Sequence, residues 1–138
     1  MSLTENKCAH LFEHHSVPEP LRKMLELQGD LQKRLGIDYS NMPFKDRISW
    51  IMVNWSCLTS EYAELLDRLP FKHWKKYSKE QLEGFVTEEQ KLEVFYEFID
   101  MFHFFLNMAL ALGIDHDTLV SLYLTKNAEN FDRQNRGY

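Results

Sequence analysis

The chain has 138 residues and a formal net charge of -5, with 44% hydrophobic and 27% charged residues. This composition supplies enough apolar side chain for one globular domain, so we expect a single domain over residues 1–138 and exclude a disordered chain. The acidic balance argues against a nucleic-acid polymer as partner. It is compatible with nucleotides bound one at a time, because a metal ion can supply the positive charge.

Glycine, proline and cysteine usage narrows the class further. With only 5 Gly and 4 Pro, the chain favours long helices over a barrel or sandwich of many short strands. The two cysteines, Cys8 and Cys57, lack the spacing of a metal or disulfide framework, so we expect a reduced, cytoplasmic protein. The polar segment Met1–His15 is unlike a signal peptide, and no uninterrupted apolar run approaches the ~18 residues of a membrane span.

Four helices are predicted from apolar spacing and from the residues at helix ends. In chain order they are expected at about Pro18–Gly36, Phe44–Leu69, Thr87–Gly113, and from Asp115 or Asp117 towards Phe131. Prolines mark the start of the first and the end of the second, and a Thr87–Gln90 capping box marks the start of the third. The segment Phe71–Val86 is predicted to be a loop that contacts a ligand.

Acidic residues flank the apolar stripes of the second and third helices. They form one pair on each helix, three residues apart and on one face, and are Glu61 with Glu64 and Glu97 with Asp100. If the stripes pack together, these carboxylates converge and repel one another unless a divalent cation joins them, and all-oxygen ligands suit Mg²⁺ or Mn²⁺. The competing interpretation is a solvated, salt-bridged surface. A di-iron centre would need a second motif like Asp100-x-x-His103, which the second helix lacks.

Two cationic stretches accompany the acidic helices. One follows Pro70 and contains Lys72, Trp74 and Lys75, and the other lies near the C-terminus and contains Lys126, Asn130, Arg133 and Tyr138. Lysine is a point charge for phosphate, and an indole offers a stacking face. Each stretch alone is also typical of solvated surface. Acids for a metal together with cations for phosphate are what triphosphate chemistry needs.

Four motifs succeed one another along residues 21–138, namely Glu61–Glu64, Lys72–Lys76, Glu97–Phe104 and Lys126–Tyr138. In order and spacing they resemble the dimeric, all-α dUTPases, which belong with the MazG-like nucleoside triphosphate pyrophosphatases. The resemblance implies an all-α bundle of four to five helices, a homodimer, and Mg²⁺-dependent hydrolysis of dUTP to dUMP and pyrophosphate.

The resemblance also implies roles for individual residues. The metal ligands would be Glu61, Glu64, Glu97 and Asp100, holding two or three Mg²⁺ ions, with Mn²⁺ as a substitute. Either Glu61 or Glu64 would activate the attacking water. The candidate phosphate-binding residues are Lys72, Lys75, Lys126 and Arg133. The candidate base- and sugar-binding residues are Gln28, Gln32, Trp74, Phe104, Asn130 and Tyr138.

Two alternatives stay open. The family commonly has Asn four residues after its base-recognising glutamine, whereas here Gln28 is followed at that position by Gln32. A dCTP-preferring or broad house-cleaning pyrophosphatase is therefore an alternative, because the metal and phosphate groups are shared and only the base contacts differ. The alternative of another class is a non-catalytic helical dimer or binding module, since a small four-helix core may leave apolar stripes uncovered.

Overall fold

The computed structural model describes residues 18–137, and within them all regular secondary structure is helical. In chain order the helices are α1 (Pro18–Arg34), α2 (Phe44–Asp67), α3 (Lys79–Glu83), α4 (Glu88–Leu112) and α5 (His116–Asn135). The all-α class and the four long helices are confirmed. The short helix α3 lies in the segment expected to be a loop, and a capping box starts it: Ser78 Oγ accepts from the Gln81 N–H, and Gln81 Oε1 accepts from the Ser78 N–H.

Side-chain caps start α4 and α5 where the sequence predicts them. Thr87 Oγ1 accepts from the Gln90 N–H at 3.0 Å. The Gln90 side chain accepts from the N–H of Val86. A standard capping box would use the N–H of Thr87, the next residue. Asp115, the first of the two candidate caps of α5, accepts from the Thr118 N–H at 2.8 Å. That bond lowers the pKa of the Asp115 carboxyl.

Glycines in the left-handed region terminate two of the long helices. Gly36 follows α1 with φ of 85°, and Gly113 follows α4 with φ of 75°. Residues with a Cβ rarely adopt this conformation, so glycine at these positions ends the helix with little strain. The sequence predicts both positions as helix ends.

The described chain divides into two compact units, each treated by itself below. Residues 18–39 and 112–137 form the first unit, which contains α1 and α5. Residues 40–111 form the second unit, which contains α2, α3 and all of α4 except its last residue, Leu112. All four predicted metal ligands belong to the second unit. The predicted residues of the first unit are Gln28, Gln32, Lys126, Asn130 and Arg133.

In the first unit, α1 and α5 meet at a buried histidine. His116 is 9% exposed, and its Nε2 accepts from Arg22 Nε at 3.2 Å and lies 2.8 Å from Arg22 Nη2. The same nitrogen is 2.9 Å from the Asp117 carboxylate. The buried side chains of α1 follow at steps of three and four and are Leu25, Gln28 and Gln32.

In the second unit, α2 and α4 run antiparallel and are joined by a buried amide pair. Asn107 Nδ2 donates to Asn54 Oδ1 at 2.9 Å, and Asn54 Nδ2 donates to the Trp50 carbonyl at 2.8 Å. The side chains of Asn54 and Asn107 are only 1% and 3% exposed, and an amide left unpaired there would cost about 1–3 kcal/mol. The pair therefore fixes how the two helices align. The buried apolar residues of this unit are Val94, Leu106, Ala109 and Ala111.

Part of the predicted apolar stripe of α2 lies on the surface of the single chain. Trp55 is 60% exposed and Met52, beside it, 66%. On α4, Tyr96 and Phe98 are similarly exposed. Large apolar side chains at this level of exposure are typical of surfaces that contact another protein chain.

Among the described helices, α4 has the length and composition that would suffice to cross a membrane. The core helices of soluble proteins pass the same test, so this is weak evidence for a membrane span. The helix also carries Glu97 and Asp100, which are costly within a bilayer.

Candidate active site

Three glutamates of α2 and α4 form a carboxylate cluster. Glu61, Glu64 and Glu97 each contribute a carboxylate oxygen, and these three oxygens lie within 4.8 Å of one another. Glu61 and Glu64 stand one helical turn apart on α2, and Glu97 faces them from α4. Glu97 is 8% exposed, whereas Glu64 is open to solvent. The structure thus brings together three of the four predicted metal ligands.

The carboxylate cluster is electrostatically uncompensated at Glu61. Burial first, and then the charges of Glu64, Asp100 and Glu97, raise the pKa of the Glu61 carboxyl. Asp100, the fourth predicted ligand, therefore acts on the cluster through its charge although it stands outside the group of three. Its Oδ1 lies 3.9 Å from His103 Nδ1. Converging oxygens that repel one another fit a hard divalent cation.

Arg68, which follows α2 directly, contacts the carboxylate cluster and was not selected from the sequence. Its Nε donates to Glu97 Oε1 at 2.7 Å, and its Nη1 donates to Glu93 Oε2 at 2.8 Å. The bond to Glu97, followed by the nearby carboxylate charges, raises the pKa of Arg68. The sequence shows that Arg68 lies four residues after Glu64. The direction of its side chain depends on how α4 packs against α2, which the sequence does not show.

A cationic cleft of about 200 Å³ adjoins Arg68. Its polar lining includes Arg68, Lys72, Lys75, Asp67, Tyr77 and Gln81. Lys72 Nζ lies 3.9 Å from the Asp67 carboxylate, and the Lys72 N–H donates to the Tyr77 hydroxyl at 3.3 Å. Three cations against one carboxylate favour an anion. Two predicted phosphate-binding residues, Lys72 and Lys75, thus share a cleft with Arg68.

Trp74 and Phe104, two predicted base or sugar contacts, also belong to the second unit. Trp74 is 66% exposed and is not among the residues that line the cationic cleft. Its ring packs edge-on against Phe71 and His73, with centroids 6.5 and 5.0 Å apart. Phe104 is half-buried on α4. The structure does not bring these two aromatic residues into the cleft.

In the first unit, both predicted phosphate-binding residues of α5 contact Glu129. Lys126 Nζ donates to Glu129 Oε2 at 2.8 Å, and Arg133 Nη2 donates to Oε1 at 2.5 Å. The bond from Lys126 and the charge of Arg133 lower the pKa of Glu129. Asn130 is exposed on the same helix. Tyr138 lies outside the described residues.

Gln28 and Gln32 are buried one turn apart on α1, with exposures of 6% and 4%. Within the described part of the chain, Gln32 Oε1 has no hydrogen-bond partner, and neither does Asn127 Oδ1 on α5. A buried acceptor without a donor is unfavourable, so each oxygen suits an N–H or O–H group of a ligand or a water. Asn127 was not selected as a site residue from the sequence.

The chain is similar to known proteins over nearly its whole length. A family described as dUTPase matches residues 20–118 and 96–138. The dCTP pyrophosphatase of Enterobacteria phage T4 is 34% identical, over 96% of this chain and 98% of its own length, and that of Enterobacteria phage LZ5 gives the same values. A DNA replication protein of phage T4 is 32% identical over 88% of this chain and 40% of its own length. No solved structure matches the chain.

Proposed function

Because the chain belongs to the all-α dimeric dUTPase family of nucleoside triphosphate pyrophosphatases, we propose that it hydrolyses dCTP to dCMP and pyrophosphate. The observation that carries the proposal is the carboxylate cluster, whose three oxygens meet within 4.8 Å. The base is inferred from the two phage dCTP pyrophosphatases, which align over nearly the whole chain. Family membership favours this enzyme over the alternative of a non-catalytic helical module.

The carboxylate cluster fits the Mg²⁺ that such hydrolysis needs. Glu61, Glu64 and Glu97 would hold the ion, with Asp100 as the fourth proposed ligand. The raised pKa of Glu61 reflects its burial and, after it, the repulsion of neighbouring carboxylates, which a cation would relieve. Bound Mg²⁺ supplies positive charge for the triphosphate and lowers the pKa of a water it holds. The four carboxylates are proposed to hold two or three Mg²⁺ ions, for which Mn²⁺ could substitute.

The chain's own residues would then position the reacting groups. Glu61 or Glu64 orients the attacking water and accepts its proton. Lys72 and Lys75 in the cationic cleft hold phosphate oxygens and stabilise the departing pyrophosphate. Lys126 and Arg133 are proposed for the same task. Gln28 and Asn130 keep their proposed base and sugar roles.

Gln32 supports cytosine as the base. Its Oε1 is a buried acceptor without a partner among the described residues. Cytosine presents an amino donor where uracil presents a carbonyl oxygen, so an amide oxygen at that edge discriminates for cytosine. Hydrolysis of dUTP is the second candidate function, supported by the name of the matching family.

The test is pyrophosphate release from a panel of nucleotides. The purified chain with Mg²⁺ is given dCTP, dUTP, dTTP, dATP and dGTP, and kcat/KM is compared. We expect dCTP to exceed dUTP by about tenfold or more, the ratio that one good hydrogen bond supplies. Preference for dUTP would establish the second candidate, and equal use of all five a house-cleaning enzyme. A folded, Mg²⁺-loaded chain that releases no pyrophosphate from any of them refutes the proposal.

We also infer that the chain forms a homodimer through the exposed apolar residues of α2. Met52 and Trp55 are 66% and 60% exposed on this helix. Packing against the same surface of a second copy would bury these side chains. Light scattering should give twice the chain mass. The double variant Met52→Glu with Trp55→Glu should give the monomer mass. A monomeric wild-type chain at micromolar concentration contradicts this inference.

A further inference from the structure

Arg68 links two features to which the proposed function assigns different tasks. Its guanidinium holds Glu97, a member of the carboxylate cluster, at 2.7 Å and Glu93 at 2.8 Å. The same side chain lines the cationic cleft with Lys72 and Lys75. It is 40% exposed, so the guanidinium can turn without unfolding its surroundings. Arg68 is thus placed between the metal-binding and the phosphate-binding groups.

The bond to Glu97 opposes a cation at the carboxylate cluster. Glu97 is the most buried member of the cluster, and its Oε1 is already engaged by Arg68 Nε. A charge-assisted hydrogen bond of this kind withdraws electron density from the carboxylate, and the guanidinium charge repels a second cation a few ångströms away. Divalent-cation binding must therefore compete with Arg68.

The cationic cleft offers Arg68 a second partner. Phosphate oxygens match the planar guanidinium better than two carboxylates on separate turns of α4 do, because one phosphate can accept two parallel N–H bonds. Lys72 and Lys75 already line the space where such an anion would lie. An anion bound there would attract the guanidinium away from Glu97.

Building on the pyrophosphatase function proposed above, we propose that Arg68 couples the two sites: it restrains divalent-cation binding at the carboxylate cluster until a phosphate group in the cationic cleft takes its guanidinium. Phosphate and cation then strengthen each other's binding by the same factor, as linkage requires. A chain without nucleotide holds Mg²⁺ weakly, and the substrate's own phosphates complete the metal site.

The experiment measures Mg²⁺ binding to the nucleotide-free chain by calorimetry, with and without inorganic phosphate. In the wild type we expect phosphate to tighten Mg²⁺ binding about tenfold, within the usual range of coupling between sites. Arg68→Gln should bind Mg²⁺ about tenfold tighter than the wild type without phosphate, and phosphate should then change its affinity less than about twofold. Arg68→Lys keeps the charge but loses the two parallel N–H donors of the guanidinium. Its Mg²⁺ affinity should therefore stay near the wild-type value while the coupling falls.

Lys79→Gln is the matched control, because Lys79 is an exposed cation of the same unit that pairs with Glu83 on α3. It should behave as the wild type, and circular dichroism checks that each variant is folded. Unchanged or weaker Mg²⁺ binding by Arg68→Gln overturns the coupling, as does wild-type coupling in that variant. If such a result accompanies normal hydrolysis of dCTP, only the role of Arg68 fails. A wild type with the expected coupling and no hydrolysis of any nucleotide supports Arg68 and refutes the proposed function.

Discussion

Glu61 in the second unit and Glu129 in the first are two glutamates in opposite electrostatic environments. Glu129 receives hydrogen bonds from Lys126 and Arg133, which lower its pKa. Burial and neighbouring carboxylates raise the pKa of Glu61. Glu129 is neutralised by cations of its own helix, whereas Glu61 lies among other carboxylates.

The difference separates a structural ion pair from a candidate binding site. An acid paired at i−3 and i+4 stabilises its helix and needs no further partner. Carboxylates packed against one another destabilise the folded chain unless a ligand uses them, which is why perturbed acids of this kind cluster at functional sites. Four experiments test whether the carboxylate cluster is a binding site.

The largest effect is expected from Glu61→Ala. Removing a carboxylate that orients the water and contacts the cation should lower kcat for pyrophosphate release from dCTP by about a thousandfold. Glu83→Gln, an exposed glutamate that pairs with Lys79 on α3, is the control and should keep wild-type turnover. A Glu61→Ala enzyme with more than a tenth of wild-type activity would remove Glu61 from the mechanism.

Mg²⁺ should stabilise the wild-type chain and not the Glu64→Gln variant. At a concentration about 100 times Kd, binding adds about 2.7 kcal/mol, which corresponds to a rise in Tm of about 5–10 °C for a chain of this size. Chelation by EDTA should reverse the rise. Thermal unfolding followed by circular dichroism measures both, and an equal Mg²⁺ effect on Glu64→Gln contradicts a metal site at the carboxylate cluster.

Opposite pH dependences are expected for the two glutamates in the metal-free chain. The raised pKa of Glu61 contributes stability that is present below its ordinary value of 4.5 and lost as pH rises through the folded value. At pH 7, Glu61→Gln should therefore raise Tm, and the gain should shrink towards pH 4.5.

The lowered pKa of Glu129 contributes stability above 4.5 that is lost as pH falls through the folded value. Glu129→Gln should lower Tm at pH 7 by a small amount, since the pair is surface-exposed, and the loss should vanish in acid. Tm measured from pH 7 to pH 3 in EDTA distinguishes the two, and the same sign for both variants contradicts the comparison.

The smallest effect concerns base choice. Gln32→Asn restores the residue that the resembled family commonly has at this position and withdraws the amide by one methylene. The ratio of kcat/KM for dCTP to that for dUTP should fall a few-fold to about tenfold, with kcat on the preferred nucleotide nearly kept. An unchanged ratio would show that Gln32 does not read the base.

The helix period explains which features could be predicted. Residues three apart on one helix share a face regardless of tertiary packing, so Glu61 with Glu64 followed from spacing alone. The starts at Thr87 and Asp115 followed from the short range of capping bonds. Helix α3 has only five residues, too few for an apolar period, although its Ser78-x-x-Gln81 cap is visible in the sequence.

What sequence reasoning missed depends on contacts between helices. Arg68 became part of the site because α4 presents Glu93 and Glu97 to the end of α2. The buried Asn54–Asn107 pair was missed for the same reason, since a polar residue within an apolar stripe shows no partner until the helices align. Trp74 packs edge-on against Phe71 and His73, and its role as a base or sugar contact stays a prediction.

The buried asparagine pair has a consequence for how the molecule can vary. Counted onwards along α2 and backwards along α4 from Asn54 and Asn107, steps of seven, ten and fourteen residues reach Glu61 with Asp100, Glu64 with Glu97, and Arg68 with Glu93. Seven and fourteen residues are whole heptads, and ten is one heptad plus three, so the helices share a polar seam at the spacing of the core positions of an antiparallel coiled coil. Deleting one residue of α2 between Asn54 and Glu61 would rotate every later residue of that helix by about 100° relative to its partner on α4. The site therefore depends on the rotational alignment of α2 with α4. We expect it to tolerate substitutions on the outer faces of these helices and not a change in their length.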